Sequence, residues 1–189
     1  AGRLDLSILP DGVVENLAFS TSTGPGKITL PGSANAQGIP VKAISAKGHF
    51  GKSLTRLNVT DLEIDFGDGL RAQASGEWRQ GTNGQGAKGH FVQAKGKISN
   101  FKVEDLPRYW PEAMAVDARN WVLSHIQSGL VPEARFKIEL RPGDLAATTP
   151  RPEIVSLDWS FQDVIADYFG ELPSVLAAKG RGHLDGRTF

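Results

Sequence analysis

The sequence predicts a mainly β protein, built from antiparallel strands with one short α-helix near 117–128. Apolar residues recur at every second position through most of the chain, and glycine-rich turns separate the alternating runs. The stretch RYWPEAMAVDARNWVLSHIQSG at 108–129 abandons that period and predicts the helix.

The strands are legible in order. Leu4, Leu6 and Ile8 alternate with Arg3, Asp5 and Ser7. Leu57 and Val59 alternate with Arg56, Asn58 and Thr60, and Leu62, Ile64 and Phe66 with Asp61, Glu63 and Asp65. The phase slips between Val59 and Leu62, so a bulge near Thr60–Asp61 is predicted; without it Asp61 would point inward. Leu70, Ala72, Ala74 and Trp78 follow the turn GDG. Phe136, Ile138 and Leu140 repeat the pattern, as do Val155, Leu157, Trp159 and Phe161. Alternation at period two gives each strand one apolar and one polar side.

A literal repeat is present. AKGHF occurs at 46–50 and again at 87–91, followed by NVTDL at 58–62 and KVEDL at 102–106, and AAKGRGHL at 177–184 is a partial third copy. Repeats of this kind predict a stacked architecture, and Gly48, Gly89 and Gly180 suit kinks that curve a sheet. The segments TSTGPGK, RQGTNGQGAKG and RPGDLAATTPRP read as loops, and prolines 107, 111, 132, 142, 150 and 152 bracket the helix and the strand after it. The domain reading is one β-rich segment over 1–189. It holds strand repeats at 1–106, a Trp/Pro helix insertion at 107–129 and further strands at 130–189.

The helix carries its own signals. Asp117 suits the N-cap, Val116 and Trp121 the staple positions, and Gly129 the C′ position. Trp121, Val122 and Ile126 form a narrow apolar stripe, extended by Ala118, while Arg119, Asn120, Ser124 and Gln127 face away. About three turns are marginal alone in water, so the helix is expected to pack on the sheet.

Bulk properties exclude several classes. Lys+Arg and Asp+Glu are both 21, giving a net charge of zero; a general nucleic-acid binder would carry a basic excess. Cysteine is absent, which removes disulfides, thiolate ligands and cysteine nucleophiles. No apolar run approaches the roughly 18 residues that span a membrane. The closing stretch AAKGRGHLDGRTF reads as one strand entering another, which predicts a section of a longer protein.

Motifs for catalysis fail on context. AKGHFGKS at 46–53 imitates a phosphate-binding loop, but that loop needs a helix starting at its Lys-Ser, and a strand pattern follows here. DLEIDFGDG at 61–69 lacks the Gly and Glu positions of a calcium loop, since Phe66 and Ala72 stand there. His49, His90, His125 and His183 show no zinc-helix spacing, and no Gly-x-Ser-x-Gly elbow occurs. No cofactor and no catalytic residue is therefore assigned.

One stretch carries a family resemblance. DLPRYWPEAMAVDARNWVLSHIQSGLVPEARFKIEL is similar to a segment of bacterial AsmA-like proteins of the YhdP type. The matching positions are Tyr109-Trp110-Pro111, Ala118-Arg119-Asn120-Trp121 and Ile126-Gln127-Ser128-Gly129. SFQDVIADYFGELPSVLAAKGRGHLDG resembles the family's following unit through Phe161, Tyr168, Leu172-Pro173 and Gly180. The resemblance covers most of the chain, best over 46–189.

The resemblance implies a strongly curved open antiparallel sheet, a taco-like groove, in a periplasmic protein anchored in the inner membrane by parts outside this sequence. It implies a conduit for phospholipid, or another acyl-chain lipid, between inner and outer membranes, with no enzymatic step. The expected groove lining is Leu57, Val59, Leu62, Ile64, Phe66, Leu70, Trp78, Val155, Leu157, Trp159 and Phe161. Tyr109, Trp110, Trp121, Val122 and Ile126 are the expected plug or gate. Open edges are expected to invite pairing with another copy. A closed β-sandwich serving as an envelope scaffold, with two alternating sheets stacked and no groove, stays open as the alternative.

Overall fold

The computed structural model describes residues 1–29, 38–82, 86, 88–110, 116–144, 151, 154–167 and 172–185. About 70% of the chain is strand, in one antiparallel sheet of nine strands that does not close. Its strands are β1 (Gly2–Ile8), β2 (Val14–Thr23), β5 (Ala43–Phe50), β6 (Arg56–Gly67), β7 (Leu70–Thr82), β8 (Lys88–Lys102), β9 (Ile126–Leu140), β10 (Val155–Ala166) and β11 (Val175–Leu184). Their order across the sheet is their order in the chain. A separate pair, β3 (Gly26–Ile28) and β4 (Ile39–Val41), interrupts the path from β2 to β5, and β4 lies beside β6.

Local chemistry sets the connections. Gly67 pairs with Leu70 across a two-residue turn, Asp68-Gly69, whose φ angles are 52° and 86°. Positive φ at both positions matches the twist of the flanking strands, and Asp-Gly is the dipeptide that tolerates it. The bulge expected at Thr60–Asp61 is present: Val59 pairs with Gly76 and Leu62 with Ala74, one residue more on β6 than on β7.

The 103–125 connection joins β8 to β9. It holds a 3-10 turn at Val103–Asp105, α1 (Leu106–Tyr109) and α2 (Val116–His125). The helix is therefore shorter than the expected 117–128. Ile126 pairs with Ala166 and Ser128 with Ile165, so the last predicted turn belongs to β9. Ladder hydrogen bonds and β-branched Ile126 outweigh one more turn of a marginal helix. Asp117 lies in the first turn of α2 rather than at its cap. Gly129, with φ 150°, sits inside the strand, and a Cβ there would stand 2.5 Å from Val164 Cγ2.

The literal repeat does not occupy equivalent places. Gly48 and Phe50 share a side with Val59 and Leu57, whereas Phe91 pairs with Arg79 on the other side of the sheet. The equivalent segments are Ala46–His49, Ala94–Lys97 and Ala178–Arg181, each Ala-Lys-Gly-basic. In each, the glycine is the cross-strand partner of a phenylalanine: Phe19 with Gly48, Phe136 with Gly96, Phe161 with Gly180. Ala87, Pro111, Pro150, Pro152 and Tyr168 lie outside the described residues.

No second layer covers the sheet among the described residues. Extensive contacts run between sheet neighbours, or from a strand to the short elements beside it. Among the described residues the buried apolar ones are Ile39, Val41, Leu70, Val103, Ala134 and Val164, and no large side chain is fully buried. The chain exposes 12513 Å², against about 8,800 Å² for a compact monomer of its mass.

Candidate functional site: an uncovered apolar face

Cross-strand partners point to the same side of a sheet, so the register sorts the residues. Four rows of partners cross one face. The first is Leu6, Leu17, Phe50, Leu57, Trp78, Val92 and Leu140. The second is Leu4, Phe19, Gly48, Val59, Gly76, Ala94, Ile138 and Val155. The third crosses all nine strands as Gly2, Thr21, Ala46, Leu62, Ala74, Gly96, Phe136, Leu157 and Leu184. The fourth is Thr23, Ile44, Ile64, Ala72, Ile98, Ala134, Trp159 and Gly182. None contains a charged residue. Rows two residues apart are roughly 6.8 Å apart, so the face is a continuous apolar band running across the strands.

Size varies within the band. On β7 and β8, Gly76, Ala94, Ala74 and Gly96 make a low shelf between Val59 and Leu62 on β6 and Ile138 and Phe136 on β9. Aromatic rings lie flat over several glycines. A Cβ would stand 2.6 Å from Phe136 Cζ at Gly96, 2.8 Å from Phe19 Cζ at Gly48, and 2.7 Å from Phe161 Cζ at Gly180. Only glycine leaves room for a ring there.

Of the expected lining, Leu57, Val59, Leu62, Ile64, Trp78, Val155, Leu157 and Trp159 fall in the four rows. Phe161 shares their side two residues after Trp159, as the partner of Gly180. Phe66 and Leu70 flank the Asp68-Gly69 turn at the end of the band. Tyr109 of α1 stands there edge-on to Phe66 and Phe101, with both ring centroids 5.5 Å away. Burial pushes the Tyr109 hydroxyl above its ordinary pKa.

The other expected plug residues lie elsewhere. Trp121 is 44% exposed and stacks on His125 of its own helix at 4.9 Å. Val122 is half-buried on α2, whose main contacts are with β9, its own continuation. Ile126 belongs to β9. The Trp110 carbonyl accepts a hydrogen bond from Arg119 Nε at 3.2 Å, tying the stretch after α1 to α2. Tyr109 therefore stands beside Phe66 and Phe101 at the end of the band, while Trp121 stacks on its own helix.

Sequence reasoning missed Val92, Ala94 and Ile98 on β8 and Phe19 and Ile44 on the first strands. Their alternation is present, but the small residues Ala94 and Gly96 flatten its amplitude.

The opposite face is polar. It carries Arg56, Asn58, Glu63, Asp65, Arg71, Gln73, Glu77, Lys95, Lys97, Arg135, Lys137 and Asp158. Ion pairs lie on it at Arg56–Glu77 (2.5 Å) and Arg135–Glu133 (2.8 Å), and His183 meets Asp158 at 2.7 Å. The hydrogen bond to Asp158 raises the His183 pKa above its ordinary value. Two depressions are lined mainly from this face, and neither touches any of the eleven expected lining residues. Between β9 and β10, Arg151 donates to both Asp144 carboxylate oxygens at 2.9 and 2.7 Å, which holds the Asp144 pKa at about 2.

No cluster of three or more His, Cys, Asp or Glu is placed to hold a metal among the described residues. Lys52–Leu54 is a single 3-10 turn entering β6, so no helix N-terminus follows the Gly51-Lys52-Ser53 sequence. No helix among the described residues is long and apolar enough to cross a membrane. Comparison of the chain with protein-family models, curated proteins and solved structures finds no match.

Proposed function

We propose that this chain is a section of a periplasmic bridge that binds and conducts phospholipid, or another acyl-chain lipid, along its apolar face. The observation that carries the reading is the set of four charge-free rows with no layer over them among the described residues. Such a face needs cover, and acyl chains supply it at about 25 cal/mol per Å² of apolar area removed from water. Apolar contact is non-directional, so a chain lying across the strands slides from one strand to the next. Head groups stay in water, which leaves the face tolerant of lipid type. No chemical step is required, and the resemblance to AsmA-like proteins points the same way. On this reading the rest of the parent protein anchors it in the inner membrane.

The test is purification of the chain from bacteria without detergent, followed by lipid extraction and mass spectrometry. Phospholipid in near-stoichiometric amount is expected, and it should be lost in folded Ile64→Asp and Leu157→Asp variants. A folded, lipid-free chain that takes up no added lipid would instead be an envelope scaffold module.

A further inference from the structure

The larger depression on the polar face, about 680 Å³, is lined by Lys95, Lys97, Arg135 and Lys137, with Gln73 and Ser75 beside them. Lys95 is the direct cross-strand partner of Lys137, and Lys97 of Arg135. Like charges placed directly opposite destabilise a sheet, and here two such pairs occupy successive positions of one strand pair. Arg135 is engaged by Glu133 at 2.8 Å. Lys95, Lys97 and Lys137 form no ion pair with another described residue. Two acids lie in the lining, Asp61 and Asp158, and Asp158 is taken by His183 at 2.7 Å. In a chain of zero net charge, this is a local cationic excess in one depression.

A local rule broken twice in one place points to function rather than stability. Side chains of a cross-strand pair start about 5 Å apart, and successive pairs on one face lie roughly 6.8 Å apart along the strands. Three ammonium groups and a guanidinium therefore reach one small volume. Compact tetrahedral oxyanions suit such a cluster, because each lysine brings a point charge with three donors and arginine a planar fork. We infer that this depression is a binding site for a phosphate group, carried by a lipid head or by a soluble phosphate ester. Its charged residues lie on the opposite side of the sheet from the apolar rows, although Ala74, Gly96 and Phe136 of the third row also line it, and the site does not depend on the lipid-conduit reading.

Two measurements on the whole chain test it: backbone amide NMR during titration with inorganic phosphate, and flotation with phosphatidylcholine vesicles with and without phosphatidylglycerol. The expected result is saturable shifts centred on 95–97 and 135–137, suppressed by added salt. A Lys95→Gln, Lys137→Gln variant should bind at least about tenfold more weakly, because it loses charge-assisted donors. Its melting temperature should equal or exceed that of the parent, since repulsion is relieved. Lys88→Gln, on the same strand outside the depression, should bind like the parent. Binding to anionic vesicles without a response to free phosphate assigns the site to lipid heads. A response to phosphate without flotation assigns it to soluble esters. Absence of both, or equal binding by the double variant, overturns the site. Ile64→Asp should leave phosphate binding intact, so failure of the conduit reading would be seen separately.

Discussion

Gly96 and Phe136 are direct cross-strand partners on β8 and β9, and the ring of Phe136 lies where a Gly96 side chain would be. Trp159 treats Gly182 the same way, with its Cζ2 2.2 Å from the Cβ position. The aromatic residues thus lie down on the sheet instead of standing from it, which keeps the apolar face low.

Gly96→Ala should therefore displace Phe136 and also press on the Gln73 carbonyl of β7, 2.3 Å from its Cβ position, and destabilise the chain by about 1–3 kcal/mol, the usual cost of overpacking. Gly24→Ala is the control, because nothing lies within 4 Å of its Cβ position. Urea unfolding of the two variants measures the contrast. Equal midpoints would mean that both the ring and the Gln73 carbonyl yield freely and that glycine is not required there.

The aromatic stopper is predicted at α1, not α2. Tyr109→Ala removes two edge-on ring contacts and should cost about 2–3 kcal/mol. Trp121→Ala removes an exposed ring stacked within its own helix and should cost about 0.5 kcal/mol or less. Thermal unfolding separates them, and a larger loss at Trp121 would restore the helix as the plug.

That contrast shows where the sequence was legible. Leu57, Val59, Leu62 and Ile64 announce their shared side by period two, and even the Thr60–Asp61 bulge is visible as a slip of phase. The boundary at Ile126 is not, because apolar residues at 121, 122 and 126 satisfy a helical stripe and a strand start equally. The choice is made by β10, 40 positions away in sequence at Ala166. The AKGHF match misleads for a related reason. Identity of five residues says nothing of which side of the sheet each copy presents, and register decides that. The basic cluster escapes sequence reading entirely, since Lys95 and Lys137 lie 42 positions apart and meet only through the β8–β9 ladder.

Two pairs set opposite pH responses. Asp144, held at about 2 by Arg151, binds its proton less readily folded than unfolded. Its contribution is complete above the ordinary carboxylate value, near 3.8, and is lost as pH falls through about 2. His183 is raised by Asp158, so its contribution is complete below the ordinary histidine value and is lost as pH rises through the folded value. NMR titration should show the Asp144 pKa rising in Arg151→Gln and the His183 pKa falling in Asp158→Asn. No movement in either variant would dissociate the pairs from the shifts.

The sheet's edges predict a symmetry. Nine antiparallel strands place β1 and β11 in the same direction. A head-to-tail contact between copies would therefore be parallel, while like edges meet antiparallel across a two-fold axis. Such a contact closes on itself and does not grow into a filament. Ala1 and Ser22 exchange both backbone hydrogen bonds, at 2.9 and 2.8 Å. Alternate residues of β1 therefore bond to β2, leaving the backbone groups of Gly2, Leu4, Leu6 and Ile8 facing outward. Leu4, Leu6 and Ile8 are also 71%, 55% and 57% exposed. With Leu6 opposite its own copy, Leu4 meets Ile8 twice and both apolar faces lie on one side. Sedimentation should show a concentration-dependent dimer that Leu6→Lys abolishes, because a lysine pair would face itself across the axis. A dimer that survives Leu6→Lys would place the contact at β11, where Leu176 is 71% exposed; a monomer at all concentrations would show that neither edge recruits a second copy.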